Sequence, residues 1–158
     1  MASVQISYGT RAAYPNVTTL NSQGSAVART IGAISATTGI TSANPVGFKI
    51  DATIKLATTG VTSTGTLAFY LVESADGSTY SDSLNAATTT DQAGSIKNSR
   101  LVYVAAANAN SQVVQAVFDL PSIFTPLNHT LLIQNGSGAA LSSAGNSISY
   151  TPIIYTVA

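Results

Sequence analysis

The chain has no cysteine and no tryptophan among its 158 residues, and only one histidine and one methionine. Without cysteine there is neither a disulfide framework nor a Cys-based zinc site, and one histidine cannot build a zinc site alone. Stability must come from packing and from partner chains, and no cofactor is expected. Charge is scarce too: six basic and six acidic residues cancel, and charged residues make up 8% of the chain, against about 25% in an ordinary globular domain. Arg11, Arg29, Lys49, Lys55, Lys97 and Arg100 are scattered, so no basic stripe tracks phosphates and no nucleic-acid partner is expected. No run approaches the roughly 18 apolar residues of a membrane span, which argues against a membrane partner. The opening MASVQISYGTRAAYPN lacks a basic segment followed by an apolar core, and it predicts no signal peptide. The expected place of synthesis is therefore a cytoplasm, which the protein leaves only as part of something larger.

So little charge gives a monomer little electrostatic protection against self-association. Much of the surface is expected to be occupied by partners or kept wet by neutral hydroxyls. What is abundant is Ser, Thr, Ala and Gly, a composition of strands and short turns. The stretch Thr66 to Asp82, TLAFYLVESADGSTYSD, organises the rest. Leu67 to Val72 offers no polar position for a solvent face, which predicts a central strand covered on both sides, leaving through a turn at Asp76-Gly77-Ser78.

Around it, Val4, Ile6 and Tyr8 alternate with Gln5 and Ser7 and read either as a half-buried edge strand or as an arm lying on a neighbour; Tyr14-Pro15-Asn16 ends it. One strand is expected near Val27 to Ile34. Phe48, Ile50, Ala52, Ile54 and Leu56 alternate with Lys49, Asp51, Thr53 and Lys55, so the first set should line the core. The glycine turns before Thr66 predict that this strand and the organising one are antiparallel neighbours. Residues 79 to 99 form a long polar excursion, a length that usually carries an interaction or wraps a neighbour, and Asp91 to Lys97 suits a short helical turn. Strands return at Leu101 to Ala106, at Val113 to Leu120 with Val114, Ala116, Phe118 and Leu120 inward, and at His129 to Gln134. Pro121 and Pro126 bracket a loop pinned by Ile123, Phe124 and Leu127. Asn135-Gly136-Ser137-Gly138 reads as a turn between antiparallel strands. Ile148 to Val157 closes the chain, and Pro152 predicts an edge or a bulge there. The sum is an all-β, single-domain β-sandwich, specifically a jelly roll, with residues 1–15 as arm or edge strand and 16–158 as the domain.

No chemical motif stands out. A Ser-His-Asp triad would have to use His129, which opens an apolar strand, and no nucleophile elbow is present, so the chain is not expected to be an enzyme. Glu73, Asp76 and Asp82 surround a glycine turn of the kind calcium favours, but the spacing is not an EF-hand, and Asp76 as an Asx turn with Glu73 at a strand end is preferred. The same carboxylates lack the surrounding aromatics of a glycosidase, which also weakens a lectin reading. Asn16, Asn128 and Asn135 head sequons that read as turn residues, and no phosphate-binding loop is present.

Three phrases together carry a resemblance: LVESADGSTYSD at 71–82, VFDLP at 117–121, and LIQNGSGAAL at 132–141. The arrangement is similar to small capsid decoration, or cement, proteins of tailed bacteriophages. The resemblance spans about residues 48 to 157. It implies a structural virion protein on the capsid surface that binds the major capsid protein, stabilises contacts between capsomers and forms a homotrimer. Val4, Ile6, Tyr8, Arg11 and Tyr14 on the arm, and Tyr80, Asp91 and Lys97 on the excursion, are the expected partner contacts. The alternative is a receptor- or glycan-binding module of a phage tail or fibre.

Overall fold

The computed structural model describes residues 4–34, 45–121 and 128–157. Over these residues the protein is all-β, with helical structure confined to 3-10 turns at Val17–Leu20, Ser81–Ser83 and Ala93–Ser95. The strands are β1 (Val4–Tyr8), β2 (Ala12–Ala13), β3 (Ala28–Ile34), β4 (Pro45–Lys55), β5 (Thr66–Ser74), β6 (Arg100–Ala106), β7 (Val113–Pro121), β8 (Asn128–Gly136) and β9 (Ser147–Val157). One sheet runs β1-β9-β4-β7 with β2 also on β9, and the other runs β3-β8-β5-β6. Every pairing is antiparallel.

The two sheets meet face to face through their alternating apolar rows, which makes a β-sandwich. Phe48, Ile50, Ala52, Ile54 and Leu56 are all buried, as are Val114, Ala116, Phe118 and Leu120. They meet Leu67, Phe69 and Leu71 of β5 and Leu131 and Ile133 of β8 in one core. Phe69 and Phe118 touch across the gap between sheets with ring centroids 5.4 Å apart.

β5 lies between β8 and β6, the interior position expected of it, and its second face is covered in an unusual way. Residues from the excursion after β5 fold back over the outside of the sheet. Tyr80 and Leu84 join Ala28, Val72 and Leu132 in a second buried cluster, with Ala86, Ala93 and Ile96 packed against it. The excursion therefore wraps its own sheet, and that is why the run Leu67 to Val72 needs no solvent face. It also closes the edge of β3: Gln92 N–H donates to Ala28 O at 2.8 Å, and Gly32 N–H donates to Ala86 O at 2.8 Å. The register of β3 shifts between Thr30 and Ala33, where Gly32 takes φ +97° and a Cβ would lie 2.6 Å from Pro15 O.

Two expectations are corrected. β4 and β5 are not neighbours; residues 56–65 cross from one sheet to the other, because both flanks of β4 are filled by β7 and β9. Asn135 and Gly136 end β8, and the chain beyond them also changes sheets before β9. β9 is not an edge strand, being flanked by β4 on one side and by β1 and β2 on the other; the other alternative, an irregularity at Pro152, is present, since Gly9, Thr10 and Arg11 stand against only Pro152 and Thr151 between Tyr8↔Ile153 and Ala12↔Tyr150. Gly9 N–H donates to Pro152 O at 2.8 Å, so the side of Pro152 that lacks a donor faces the gap between β1 and β2, where no ladder bond is lost. The expected loop around Ile123, Phe124 and Leu127 lies outside the described residues.

Candidate interaction surface

The N-terminal strand is the least covered element of the sandwich. β1 pairs only with β9, in the register Val4↔Val157 through Tyr8↔Ile153, so it forms an edge strand on its own chain. Residues 5 to 8 are all exposed. Ile6 is 61% exposed and Tyr8 65%, two of the most open large apolar side chains among the described residues. Strand edges are normally blunted with charge, proline or a cover; VQISY has no charge and no proline, and the far side of β1 has no described strand beside it.

The backbone direction along β1 follows from its link to β9. Gly9 N–H points at β9, and backbone groups of successive strand residues point alternately to the two flanks. Ser7 and Gln5 therefore bond towards β9, whereas Val4, Ile6 and Tyr8 hold their N–H and C=O groups towards the open flank. Past the strand, Gly9 sits against Pro152, where a Cβ would lie 3.1 Å from Pro152 Cβ. Arg11 Nε donates to Ser149 Oγ at 2.7 Å and lies 3.8 Å from Asp51 Oδ2. With the guanidinium side chain 64% exposed, that ion pair contributes at most about 1 kcal/mol and leaves Arg11 accessible.

Tyr14 is not a surface contact. It is 3% exposed, its N–H is bonded to Ile148 O at 2.9 Å, and its ring meets Tyr150 edge-on with centroids 5.4 Å apart. Its Oη lies 3.0 Å from Nε2 of the fully buried His129. Burial, with Tyr150 adding to it, pushes the Tyr14 hydroxyl pKa well up. The Tyr14-Pro15 break turns the aromatic ring inward rather than towards a neighbour, and the one histidine becomes a core residue near the start of β8.

The excursion shows a similar division. Tyr80 is 5% exposed and belongs to the second cluster, because the turn at Asp76-Gly77 folds it back onto Val72. Asp91 is exposed, but its Oδ1 accepts from Ala28 N–H and Ala93 N–H, both at 2.9 Å, tying the excursion to β3. These N–H groups, Ala28 first, hold the Asp91 carboxyl below the usual range. Lys97 is exposed at its side chain, while its N–H donates to Asp82 Oδ2 at 3.0 Å.

Asp82 is the residue that sequence reasoning undervalued. It adopts φ 61°, ψ 17°, and its carboxylate also accepts from Asn98 N–H, Asn98 Nδ2, Ser99 N–H and Ser99 Oγ. Desolvation works against ionisation there, but the donors from Lys97, Asn98 and Ser99 outweigh it and hold the carboxyl well below the usual aspartate range. Asp76 makes the Asx turn, accepting from Ser78 N–H at 2.8 Å and Thr79 N–H at 2.7 Å, with Thr79 foremost in lowering its pKa. Glu73 pairs with Arg100 at 3.2 Å. The three carboxylates are thus occupied separately, and among the described residues no group of three His, Cys, Asp or Glu side chains converges as a metal site would.

Other exposed large apolar residues are Val113 and Val117 on β7, on the outer face of the same sheet as β1 but at its opposite edge, and Leu101 and Val104 on β6, on the outer face of the second sheet. The period of two had placed Val113 and Val117 opposite the core row, and that was the available signal. No helix among the described residues is long and apolar enough to cross a membrane. No family model, curated protein or solved structure matches this chain.

Proposed function

We propose that this protein is a structural component of a phage particle, a decoration protein that binds the outer surface of the capsid through the major capsid protein. The observation that carries the reading is the uncharged, exposed strand β1 on an otherwise well-packed sandwich: Ile6 and Tyr8 offer apolar area that nothing among the described residues covers. Interfaces between proteins are depleted of charge at their centres and enriched in tyrosine, and a chain with 8% charged residues suits a lattice of many neutral contacts. The strand order β1-β9-β4-β7 against β3-β8-β5-β6 supports reading the sandwich as a jelly roll, the specific architecture proposed here. A homotrimer on the capsid surface, without nucleic acid or membrane, completes the proposal. Many copies make each contact multivalent, so a single site can be weak.

The test is co-sedimentation of the purified protein with capsids that lack it. Replacing Ile6 and Tyr8 together by serine should leave the circular dichroism spectrum unchanged, since both side chains face outward, and lower apparent capsid affinity at least about tenfold. Undiminished occupancy by the double variant would remove β1 from the interface. Deletion of residues 1–15 would be a poorer test, because it also removes the core residue Tyr14. The second reading, a receptor- or glycan-binding module of a tail or fibre, draws on an open recess of about 400 Å³ lined by Glu73, Ser74, Ala75, Thr79, Tyr80 and Ser81. Binding of the free protein to host cells, lost on replacing Thr79 and Ser81 by alanine, would favour it.

A further inference from the structure

We propose that the open flank of β1 pairs antiparallel with β1 of a second copy, about a twofold axis through Ile6, joining two sandwiches into one continuous sheet. This goes beyond the capsid reading and does not depend on it. The residues whose backbone groups face the open flank are Val4, Ile6 and Tyr8, as fixed by the Gly9 N–H to Pro152 O bond. Antiparallel pairing centred on Ile6 sets Ile6 against Ile6 and Val4 against Tyr8 of the second copy. These are the residues whose N–H and C=O groups have no partner among the described residues, so each becomes a hydrogen-bonded pair and about six bonds form. A centre on Gln5 or Ser7 would also oppose outward-facing residues, Val4 with Ile6 or Ile6 with Tyr8, but only two such pairs fall within β1, giving about four bonds instead of six.

The side chains agree with the same centre. Directly opposed residues in an antiparallel pair point to the same face, so the exposed Ile6 and Tyr8 of both copies fall in one row on the outside of the sheet. β1 has no charged residue, so no like charges meet across the axis, which is the usual defence of an edge against its own copy. The β3 edge, by contrast, is already closed by the excursion. Edge and face are separate surfaces: the flank of β1 takes the second copy, and the outward row remains for a capsid. Twofold pairing of this kind links chains of neighbouring trimers rather than replacing a threefold contact.

The test uses the free full-length protein, without capsids. Because the chain has no cysteine, Ile6→Cys introduces one thiol. Paired Cα atoms at such a position lie about 5.5 Å apart, within disulfide range. Mild oxidation should convert most of Ile6→Cys to a covalent dimer on a non-reducing gel, and Gln5→Cys, which would oppose Ser7, should give little. In sedimentation equilibrium, Ile6→Pro should lower the apparent mass reached by the wild type at high concentration at least about twofold. That substitution removes a donor facing the open flank and none facing β9, so the fold is kept. A wild type whose apparent mass stays that of Ile6→Pro at every concentration would overturn the proposal, as would equal cross-linking of the two cysteine variants. Either failure leaves capsid binding by the outward face untouched, so the two proposals fall separately.

Discussion

Asn135→Ala is expected to destabilise the protein by about 3 to 5 kcal/mol, and so to remove a large part of a total stability that is ordinarily about 5 to 15 kcal/mol. Asn135 is fully buried at the end of β8. Its Nδ2 donates to Gln23 O at 3.0 Å, Gly24 O at 3.1 Å and Ala139 O at 2.8 Å, while Oδ1 accepts from Ser137 N–H at 3.0 Å. One amide thereby satisfies the turn that enters β3 and the turn that leaves β8, neither of which has a ladder of its own. Alanine leaves Gly24 O and Ser137 N–H without a partner, each costing about 1 to 3 kcal/mol less whatever water recovers, and removes one of two donors from Gln23 O and Ala139 O, which keep Leu141 N–H and the Ser137 hydroxyl. The melting temperature should fall by about 10 °C, measured by circular dichroism. Asn135→Asp separates hydrogen bonding from volume: it keeps the shape but sets an acceptor against three carbonyls, so it should be at least as damaging. A melting temperature within a degree or two of wild type for either variant would show that the turns hold without this amide.

The role of Asn135 marks where sequence reading stops. Asn135-Gly136 reads locally as a turn, and its residues do lie at a strand end. What its side chain joins depends on Gln23 and Gly24, which approach only when the sheets form. The strands themselves were legible because a period of two with one buried face leaves a strong trace, as in Phe48 to Leu56 and Val113 to Leu120. Which strand pairs with which left no such trace. The residues between β4 and β5 fix local bends around Gly60 and Gly65, and those bends are equally compatible with a hairpin and with a crossing between sheets. Pro152 left edge and bulge open: proline reports a missing donor, and here the missing donor faces the irregular stretch between β1 and β2 rather than solvent.

The candidate surface was legible in part. Alternation in Val4 to Tyr8 identifies a strand, but alternation alone does not say whether the apolar row meets the core or the solvent. That was decided by the register on β9, which sets Ser7 opposite the buried Ile154 and so turns Ile6 and Tyr8 to the outer face. Tyr14 and Tyr80 read as exposed because each stands beside a turn, and their burial is set by partners distant in sequence: Tyr150 and His129 for the first, Val72 and Leu132 for the second. Asp82 lies in a polar stretch with no period at all. Its partners, Lys97 to Ser99, reach it only through closure of the excursion.

That closure should be sensitive to acid, and Asp82→Ala should reproduce the acid effect at neutral pH. Asp76, Asp82 and Asp91 all hold their charge through N–H and hydroxyl donors of the turns they brace, and all three have pKa values lowered in the fold. A carboxyl whose pKa is lower in the folded state stabilises it fully above the ordinary aspartate range, near about 4. The stabilisation is lost as pH falls from there through the folded-state values, since the unfolded segment then binds more protons. Hydrogen exchange followed by mass spectrometry should therefore show residues 79–99 losing protection below about pH 4, after correction for the intrinsic exchange rate, while β4, β5 and β8 keep theirs. Release of the excursion uncovers Val72 and Leu132 and reopens the edge of β3, so binding of an apolar dye and self-association should rise together. In Asp82→Ala the two ends of the excursion are no longer held together. Its protection should already be low at pH 7, and its remaining dependence on pH should be shallower, carried by Asp76 and Asp91 alone. Uniform loss of protection in every strand on acidification would mean that the excursion and the sandwich unfold as one unit, and the clasp would then have no separate function.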